Sequence, residues 1–226
     1  DIPVFYLGGA LVETRRLPEA REHWSRSLDR VPPDLRALRA RFVTEIGVVE
    51  QRAGDHAEAA RRFREGLTLD PAQAVAAIRL GLALSAQGAG AEAERAFAAA
   101  LPLVIGPRPP IWELRAAIAE VPVTQPEARG RLAFALALRL QQRGALEEAG
   151  AQYRAGLALL PRHAEAWNNL GVTYALRRRP DEALEAFLQA LRIQPGYPEA
   201  CQNGRLAAQA LGVTPAEIES CSPGPG

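Results

Sequence analysis

The chain has 226 residues, of which 48% are hydrophobic and 23% are charged, and its 27 basic residues nearly balance its 26 acidic residues. This length is enough for one large domain or two small ones and excludes a mini-protein that depends on metals or disulfides for its core. Because the net charge is only +1 and no apolar run approaches the roughly 18 residues of a membrane span, we expect neither a nucleic-acid partner nor a membrane span.

Residue usage is strongly biased. The sequence contains no Lys, so every basic residue is Arg, and Ala is abundant. We interpret this bias as that of a GC-rich, bacterial coding sequence, and it also favours helix because Ala and Arg are good helix formers. The sequence contains no Met either, so we expect Asp1 to be a processed or cut end. This feature and a cysteine pair near the C-terminus favour an exported or periplasmic location over the cytoplasm.

A 34-residue period runs along most of the chain, in the order 1–34, 40–73, 74–107, 130–163 and 164–197. Each unit is predicted to form two helices separated by a turn, and stacking of at least three units is needed to bury their apolar faces. Position 24 of every unit is aromatic, although aromatic residues are only 6% of the chain. These residues are Trp24, Phe63, Phe97, Tyr153 and Phe187.

Two segments interrupt the period inside the chain. Residues 35–39 extend the first helix of the second unit, for which Asp34 is the predicted N-cap. Residues 108–129 form an insertion with prolines at both ends, and its apolar spacing predicts a short helix over 111–121. Thr124, with Glu three positions later, predicts a capping box that starts the next helix early.

The last segment, 198–226, is predicted to contain a closing helix over 199–211 and a tail. Cys201 and Cys221 lie in this segment and match no zinc or redox spacing. A disulfide between them is geometrically possible, and it would connect the closing helix to the tail.

The unit 164–197 has a diagnostic residue at each of eight set positions. These residues are Trp167, Leu170, Gly171, Tyr174, Ala183, Phe187, Ala190 and Pro195. With them the chain resembles the tetratricopeptide repeat family, whose helix–turn–helix unit has this signature. The resemblance implies an all-α fold, a right-handed superhelix or α-solenoid of stacked units with a C-terminal capping helix. It also implies a groove, lined by the first helix of each unit, that binds partner proteins.

The groove positions hold an apolar stripe with charged and amide side chains beside it: Phe5, Arg41, Glu45, Val48, Ile78, Arg79, Leu82, Arg131, Phe134, Leu138, Asn168, Asn169 and Val172. Alternatively, Leu82, Phe134 and Leu138 are covered by the insertion helix or by a neighbouring subunit. Asn168 and Asn169 resemble the pair with which some members of the family hold an extended peptide. The carboxylate clamp of chaperone-binding members is not expected, because it uses Lys.

Signals for catalysis are weak. The segment Gly88–Ala93 matches a dinucleotide fingerprint, but a turn between two repeat helices explains its glycines. His23, His56 and His163 lie in different units, so we expect packing or surface roles for them. We therefore expect no enzyme activity, no cofactor and no metal.

These observations predict a non-catalytic scaffold or adaptor that binds a peptide or helix of a partner protein in the groove, through apolar contacts and flanking Arg residues. The alternative is an accessory domain or subunit that is permanently assembled with a larger enzyme complex, such as one at a membrane. An open hydrophobic face at the N-terminal end would favour the alternative.

Overall fold

The computed structural model describes residues 2–106, 110–122, 124–219 and 221. All thirteen regular elements within these residues are helices, and they form two compact units, Asp1–Val121 and Pro122–Gly226. The prediction of an all-α chain built from stacked helix pairs is confirmed. The predicted boundary between residues 107 and 108 lies outside the described residues.

The first unit contains three helix pairs and a single short helix. The pairs are α1 (Ile2–Glu13) with α2 (Leu17–Asp29), α3 (Arg36–Ala53) with α4 (His56–Leu69), and α5 (Ala74–Ala86) with α6 (Gly90–Ile105). The single helix is α7 (Ile111–Ala119). The second helix of one pair packs against the first helix of the next, as α2 does on α3 and α4 does on α5.

The second unit contains two pairs and a closing segment. The pairs are α8 (Pro126–Gln142) with α9 (Leu146–Leu159), and α10 (Ala164–Leu176) with α11 (Pro180–Ile193). The closing helices are α12 (Pro198–Leu211) and α13 (Ala216–Glu219). Helix α12 packs against α11 in the way that the first helix of a further pair would.

A glycine beneath an aromatic ring brings the two helices of a pair together. In the third pair, a Cβ on Gly81 would lie 2.6 Å from the ring of Phe97, so no larger residue fits there. The same close approach joins Gly8 to Trp24, Gly47 to Phe63 and Gly171 to Phe187. All four rings are buried, so the aromatic position forms the core of each pair. The ring also reaches the next pair in at least one case, because Trp24 lies 5.8 Å from Phe42 between ring centroids.

The fourth pair, α8 with α9, has different residues at the positions of the glycine and the aromatic ring. Ala137 replaces the glycine, and the aromatic residue is Tyr153, whose hydroxyl donates a hydrogen bond to Oε1 of Gln141 at 3.2 Å. Burial raises the pKa of the Tyr153 hydroxyl above its ordinary value, so it stays protonated and acts as a donor. The polar end of a buried tyrosine is thus satisfied within the pair.

Helices α3 and α8 both begin before their repeat units, as predicted, but the two predicted capping residues are wrong. Helix α3 begins at Arg36 after Leu35, and Asp34 does not cap it, because the N–H of Arg36 donates to the backbone carbonyl of Asp34 at 2.8 Å in a turn. Helix α8 begins at Pro126, and Thr124 does not cap it. The fixed φ of proline suits the first helical position, so the start needs no side-chain cap.

A disulfide joins Cys201 of α12 to Cys221, and further contacts fix the same end of the chain. The guanidinium of Arg192 on α11 donates to the carboxylate of Glu217 on α13 at 2.9 Å, and Arg205 donates to the carbonyl of Cys221. The tail is therefore linked to both α11 and α12.

Candidate functional site

In the first unit, the predicted groove residues meet the inserted helix α7. The carboxylate of Glu120, which follows α7 directly, accepts two hydrogen bonds from the guanidinium of Arg79 at 3.0 and 3.3 Å. It also accepts one from Arg52 at 3.3 Å, and Arg79 donates in addition to Oε1 of Gln51 at 3.2 Å. Arg79, predicted to orient a partner, is therefore engaged within the chain.

Two carboxyl groups of this region, those of Glu45 on α3 and Glu113 on α7, have shifted pKa values. Burial and the nearby charge of Glu113 on α7 raise the pKa of the Glu45 carboxyl above its ordinary value, while Arg79 and Arg41 act in the opposite direction. Burial likewise raises the pKa of Glu113, against the same two guanidinium groups. Glu113 is therefore near enough to Glu45 to disfavour its charge, and burial disfavours the charged form of both carboxyl groups.

Apolar burial completes this contact. Four apolar residues of the α7 segment, Leu114, Ala117, Ile118 and Val121, are buried, whereas Trp112 is 69% exposed, and α7 packs mainly against α5. Ile78 and Leu82 of α5 are also buried, which corrects the expectation that they line an open stripe. These two side chains are buried because they pack against other residues of the first unit.

The other predicted groove residues of this unit have packing roles. The ring of Phe5 stacks on Phe42 with centroids 4.7 Å apart, and the guanidinium carbon of Arg41 lies 3.9 Å from the centroid of Phe5. This cation–π contact covers the outer face of the ring. Val48 is half-buried.

In the second unit, the predicted groove residues divide into two groups. Phe134 is buried against Tyr153 and His163, with ring centroids 6.5 and 4.7 Å away, so it belongs to the core and is not open to a partner. Arg131 is exposed and pairs with Glu127 on its own helix, and Leu138 is half-buried. The remaining residues, Asn168, Asn169 and Val172, lie on α10 and take part in the features that follow.

A row of amide groups crosses from α10 to α12. The amide nitrogen of Asn203 donates to Oδ1 of Asn168 at 3.0 Å, and the amide of Asn168 donates to Oδ1 of Asn169 at 3.4 Å. Sequence reasoning missed Asn203, although it lies 34 residues after Asn169 and therefore one repeat period later. Extending the period past residue 197 would have found it.

An apolar cavity of about 560 Å³ opens beside this row, and we call it the C-terminal groove. Its walls come from α10, α11 and α12, and they include Val172, Leu176, Phe187, Asn203 and Leu206. Leu176 and Leu206 are 57% and 61% exposed, and both lie in the wall of this one cavity. The sequence prediction included Val172 but neither leucine.

The histidines and the glycine considered above for catalysis or nucleotide binding have roles in hydrogen bonding and in turns. Nε2 of His23 lies 2.8 Å from the carbonyl of Val4, and the imidazole of His163 caps α10 by accepting the N–H of Ala166. Gly88 has a left-handed conformation in the turn between α5 and α6. Among the described residues, no group of three or more His, Cys, Asp or Glu side chains is arranged to hold a metal ion, and no helix is both long and apolar enough to cross a membrane.

Sequence profiles of the tetratricopeptide repeat match residues 164–197 and 44–108. Among solved structures, a crystal structure of MamA is 22% identical, covers 78% of this chain and 90% of its own, and has a TM-score of 0.45. YrrB, described as a TPR protein with an unusual peptide-binding site, is 26% identical, covers 90% and 91%, and has a TM-score of 0.39. No curated protein matches significantly.

The repeat matches agree with the 34-residue helix pairs and with the glycine–aromatic contact inside them. Stacked pairs of this kind present extended surfaces to other proteins. The chain therefore belongs to the tetratricopeptide repeat family and is a scaffold for interaction with protein or peptide partners.

Proposed function

We propose that this protein is a non-catalytic adaptor that binds an apolar segment of a partner protein in the C-terminal groove. The observation that carries the proposal is the pair of exposed leucines, Leu176 and Leu206, in the wall of one open apolar cavity. Exposed apolar side chains that share a concave surface usually mark a binding site. A partner side chain that covers both would remove apolar surface from water, which contributes about 25 cal/mol for each Å² buried.

The amide row adds polar recognition beside the apolar surface. Asn203 belongs to both features, because it lines the cavity and donates to Asn168. An asparagine amide can form up to four hydrogen bonds, so Asn203 and Asn169 retain capacity for the backbone of a bound segment. This combination favours an extended segment with a large apolar side chain, held by main-chain hydrogen bonds and by the groove.

Arg178 lines the groove and supplies positive charge there. Its backbone has φ of 57°, a left-handed conformation in the turn between α10 and α11, and the residue is exposed. An acidic residue in the partner segment would be attracted to it. Such a charge at the edge of a site affects the rate and orientation of binding more than its final strength.

The test uses a random peptide library displayed on phage and selected on the wild-type protein. Peptides recovered in this way should lose affinity by about ten-fold or more for Leu206→Glu and Leu176→Glu, because a carboxylate would then face the bound apolar side chain. The matched control is Leu35→Glu, which changes a similarly exposed leucine outside the groove. Equal binding to all three variants, or failure to select any peptide, would contradict the proposal.

A second candidate function has one observation in its favour. Helix α1 exposes two large side chains, Tyr6 at 80% and Leu7 at 50%, which an accessory domain in a permanent assembly would cover. An uncovered surface of this kind should make the isolated chain associate at high concentration. Sedimentation velocity should then show association for the wild type and not for Tyr6→Ser/Leu7→Ser. A wild-type chain that stays monomeric would remove the support for this candidate.

A further inference from the structure

We propose that the Cys201–Cys221 bridge is a redox switch for the C-terminal groove. The groove binds its partner segment while the bridge is intact, and reduction of the bridge by a dithiol weakens binding because it loosens α12. The inference rests on the proposed function, since it concerns the regulation of the same site. Both cysteines belong to the segment that supplies one wall of that site.

The bridge takes the place of an aromatic core. Helix α12 begins at Pro198, directly after the fifth repeat, so the 34-residue period continues into this segment. Cys221 lies 34 residues after Phe187 and is therefore at position 24 of a sixth repeat, where each of the five preceding repeats has a buried aromatic residue. Cys201 lies 34 residues after Trp167. The sixth repeat thus closes on its first helix through a covalent bond at the position where the others use a ring.

The second helix of this sixth pair is too short to hold itself in place. Helix α13 has four residues, whereas the second helices of the other pairs have 13 to 16 residues. Ile218 of α13 packs on α12, since a Cβ on Gly204 would lie 2.5 Å from its Cδ1. The partly exposed ion pair of Arg192 and Glu217 adds little stability. A single turn of helix is unstable by itself, so the covalent bridge is the main constraint on the tail.

Helix α12 lies between this tail and the groove. Cys201 and Gly204 contact the tail. Asn203 and Leu206, on the same helix, line the groove. Asn203 also donates to Oδ1 of Asn168 on α10 at 3.0 Å, so a shift of α12 would disturb both the apolar wall and the amide row. Loosening of the tail therefore reaches the binding site through one helix.

The chemistry of the switch is thiol–disulfide exchange with a dithiol reductant. A thiolate of the reductant attacks one sulfur of the bridge, which forms a mixed disulfide and releases the other cysteine. The second thiol of the reductant then displaces the first cysteine and closes a disulfide within the reductant. Two electrons pass from the dithiol to the bridge, and its two protons end on the thiols of Cys201 and Cys221. Because both cysteines are buried, the attack follows a transient opening of the short tail.

The test compares the oxidised and the reduced wild-type protein. Peptides selected on the oxidised protein are titrated by fluorescence anisotropy before treatment with dithiothreitol, after it, and again after reoxidation with glutathione disulfide. Titration of free thiols reports the state of the bridge at each step. Reduction should weaken binding by about ten-fold or more, and reoxidation should restore it, because only molecules with an ordered α12 bind the peptide.

The matched control is Cys201→Ser/Cys221→Ser. It should bind the peptides as weakly as the reduced wild type does, and dithiothreitol should not change its affinity. Equal affinity of the oxidised and the reduced wild type would overturn the proposal, as would a bridge that dithiothreitol leaves intact in the folded protein. A response of the control variant to dithiothreitol would assign the effect to another part of the protein and would also overturn the proposal.

Hydrogen exchange distinguishes failure of the switch from failure of the proposed function. Reduction should accelerate amide exchange in α12 and α13 by about ten-fold or more while α8 and α9 keep their protection, because the bridge constrains the short sixth pair. Unchanged protection of α12 would overturn the switch whether or not peptides bind. Loss of protection throughout α8 to α11 would make the bridge a structural link of the whole unit and would overturn it as well. Failure to select any peptide on the oxidised protein would instead contradict the proposed function, and the exchange in α12 would still decide whether the bridge controls this wall.

Discussion

The two units use equivalent positions on their first helices in opposite ways. At position 6 of the repeat, the first unit has the charged residues Glu45 and Arg79, and the second unit has Asn169, with Asn203 one period later. The charged pair is covered by α7, whereas the amides lie beside an open apolar cavity. The repeat signature therefore determines how helices pair, while the segments outside it determine which surface stays open.

The largest expected effect tests what the two units share. Phe97→Ala in the first unit and Phe187→Ala in the second should each cost about 3–5 kcal/mol of unfolding free energy, since each leaves a void where a ring packs on a glycine. Denaturant titration monitored separately in each unit measures these losses. Arg178→Ala is the control, and it should cost less than about 0.5 kcal/mol. Comparable losses for the control would mean that the repeat register is wrong.

The next effect should be confined to the second unit. Replacement of Cys201 and Cys221 by Ala removes the bridge that closes a 20-residue separation and should cost about 2–4 kcal/mol. Because α12 forms a wall of the C-terminal groove, selected peptides should also bind less well. Hydrogen exchange should accelerate in α12 and α13 while α3 and α5 keep their protection. Acceleration in both units would show that the bridge acts beyond its own unit.

A pH-dependent effect should be confined to the first unit. Burial and Glu113 raise the pKa of Glu45 in the folded state above its ordinary value, so the folded state binds this proton more tightly than the unfolded state does. The contribution of Glu45 therefore improves as the pH falls through the raised pKa and is unfavourable above it. Glu45→Gln should stabilise the first unit by about 1 kcal/mol at neutral pH, with a smaller gain at acid pH. A destabilised Glu45→Gln protein at neutral pH would show that attraction to Arg41 and Arg79 outweighs burial.

The smallest effect separates two arginines that the sequence predicted to be equivalent. Arg131 is exposed and pairs only with a neighbour on its own helix among the contacts that the structure records for it, so Arg131→Ala should change stability by less than about 0.5 kcal/mol. Arg79 is largely buried and holds Glu120, so Arg79→Ala should accelerate hydrogen exchange in α7. Equal rates of hydrogen exchange in α7 for Arg79→Ala and Arg131→Ala would contradict the role given to Arg79.

Much of the fold was predictable because the 34-residue period reports contacts inside each pair. Position 24 is aromatic in every pair, and its contact with a glycine sixteen residues earlier in four pairs is local. The early starts of α3 and α8 were predicted, but the caps Asp34 and Thr124 were mispredicted because a turn hydrogen bond and Pro126 fix those starts instead. The Cys201–Cys221 bridge was left open by spacing alone, and it is present.

The candidate sites were less predictable because they depend on contacts between distant residues. Glu120 meets Arg79 across 41 positions, and no repeat pattern encodes that contact. Leu176 and Leu206 become neighbours in one cavity only when α10 and α12 pack beside each other. Asn203 is the exception, since the period alone points to it.

The central claim is that the C-terminal groove is open to ligands while α7 and Glu120 cover the predicted groove residues of the first unit. Chemical-shift mapping by NMR with the peptides selected on the wild-type protein tests it most directly. We predict shifts at Leu176, Asn203 and Leu206, with Arg41, Glu45 and Arg79 unchanged. Shifts at Arg41, Glu45 and Arg79, with the C-terminal groove unchanged, would contradict the claim.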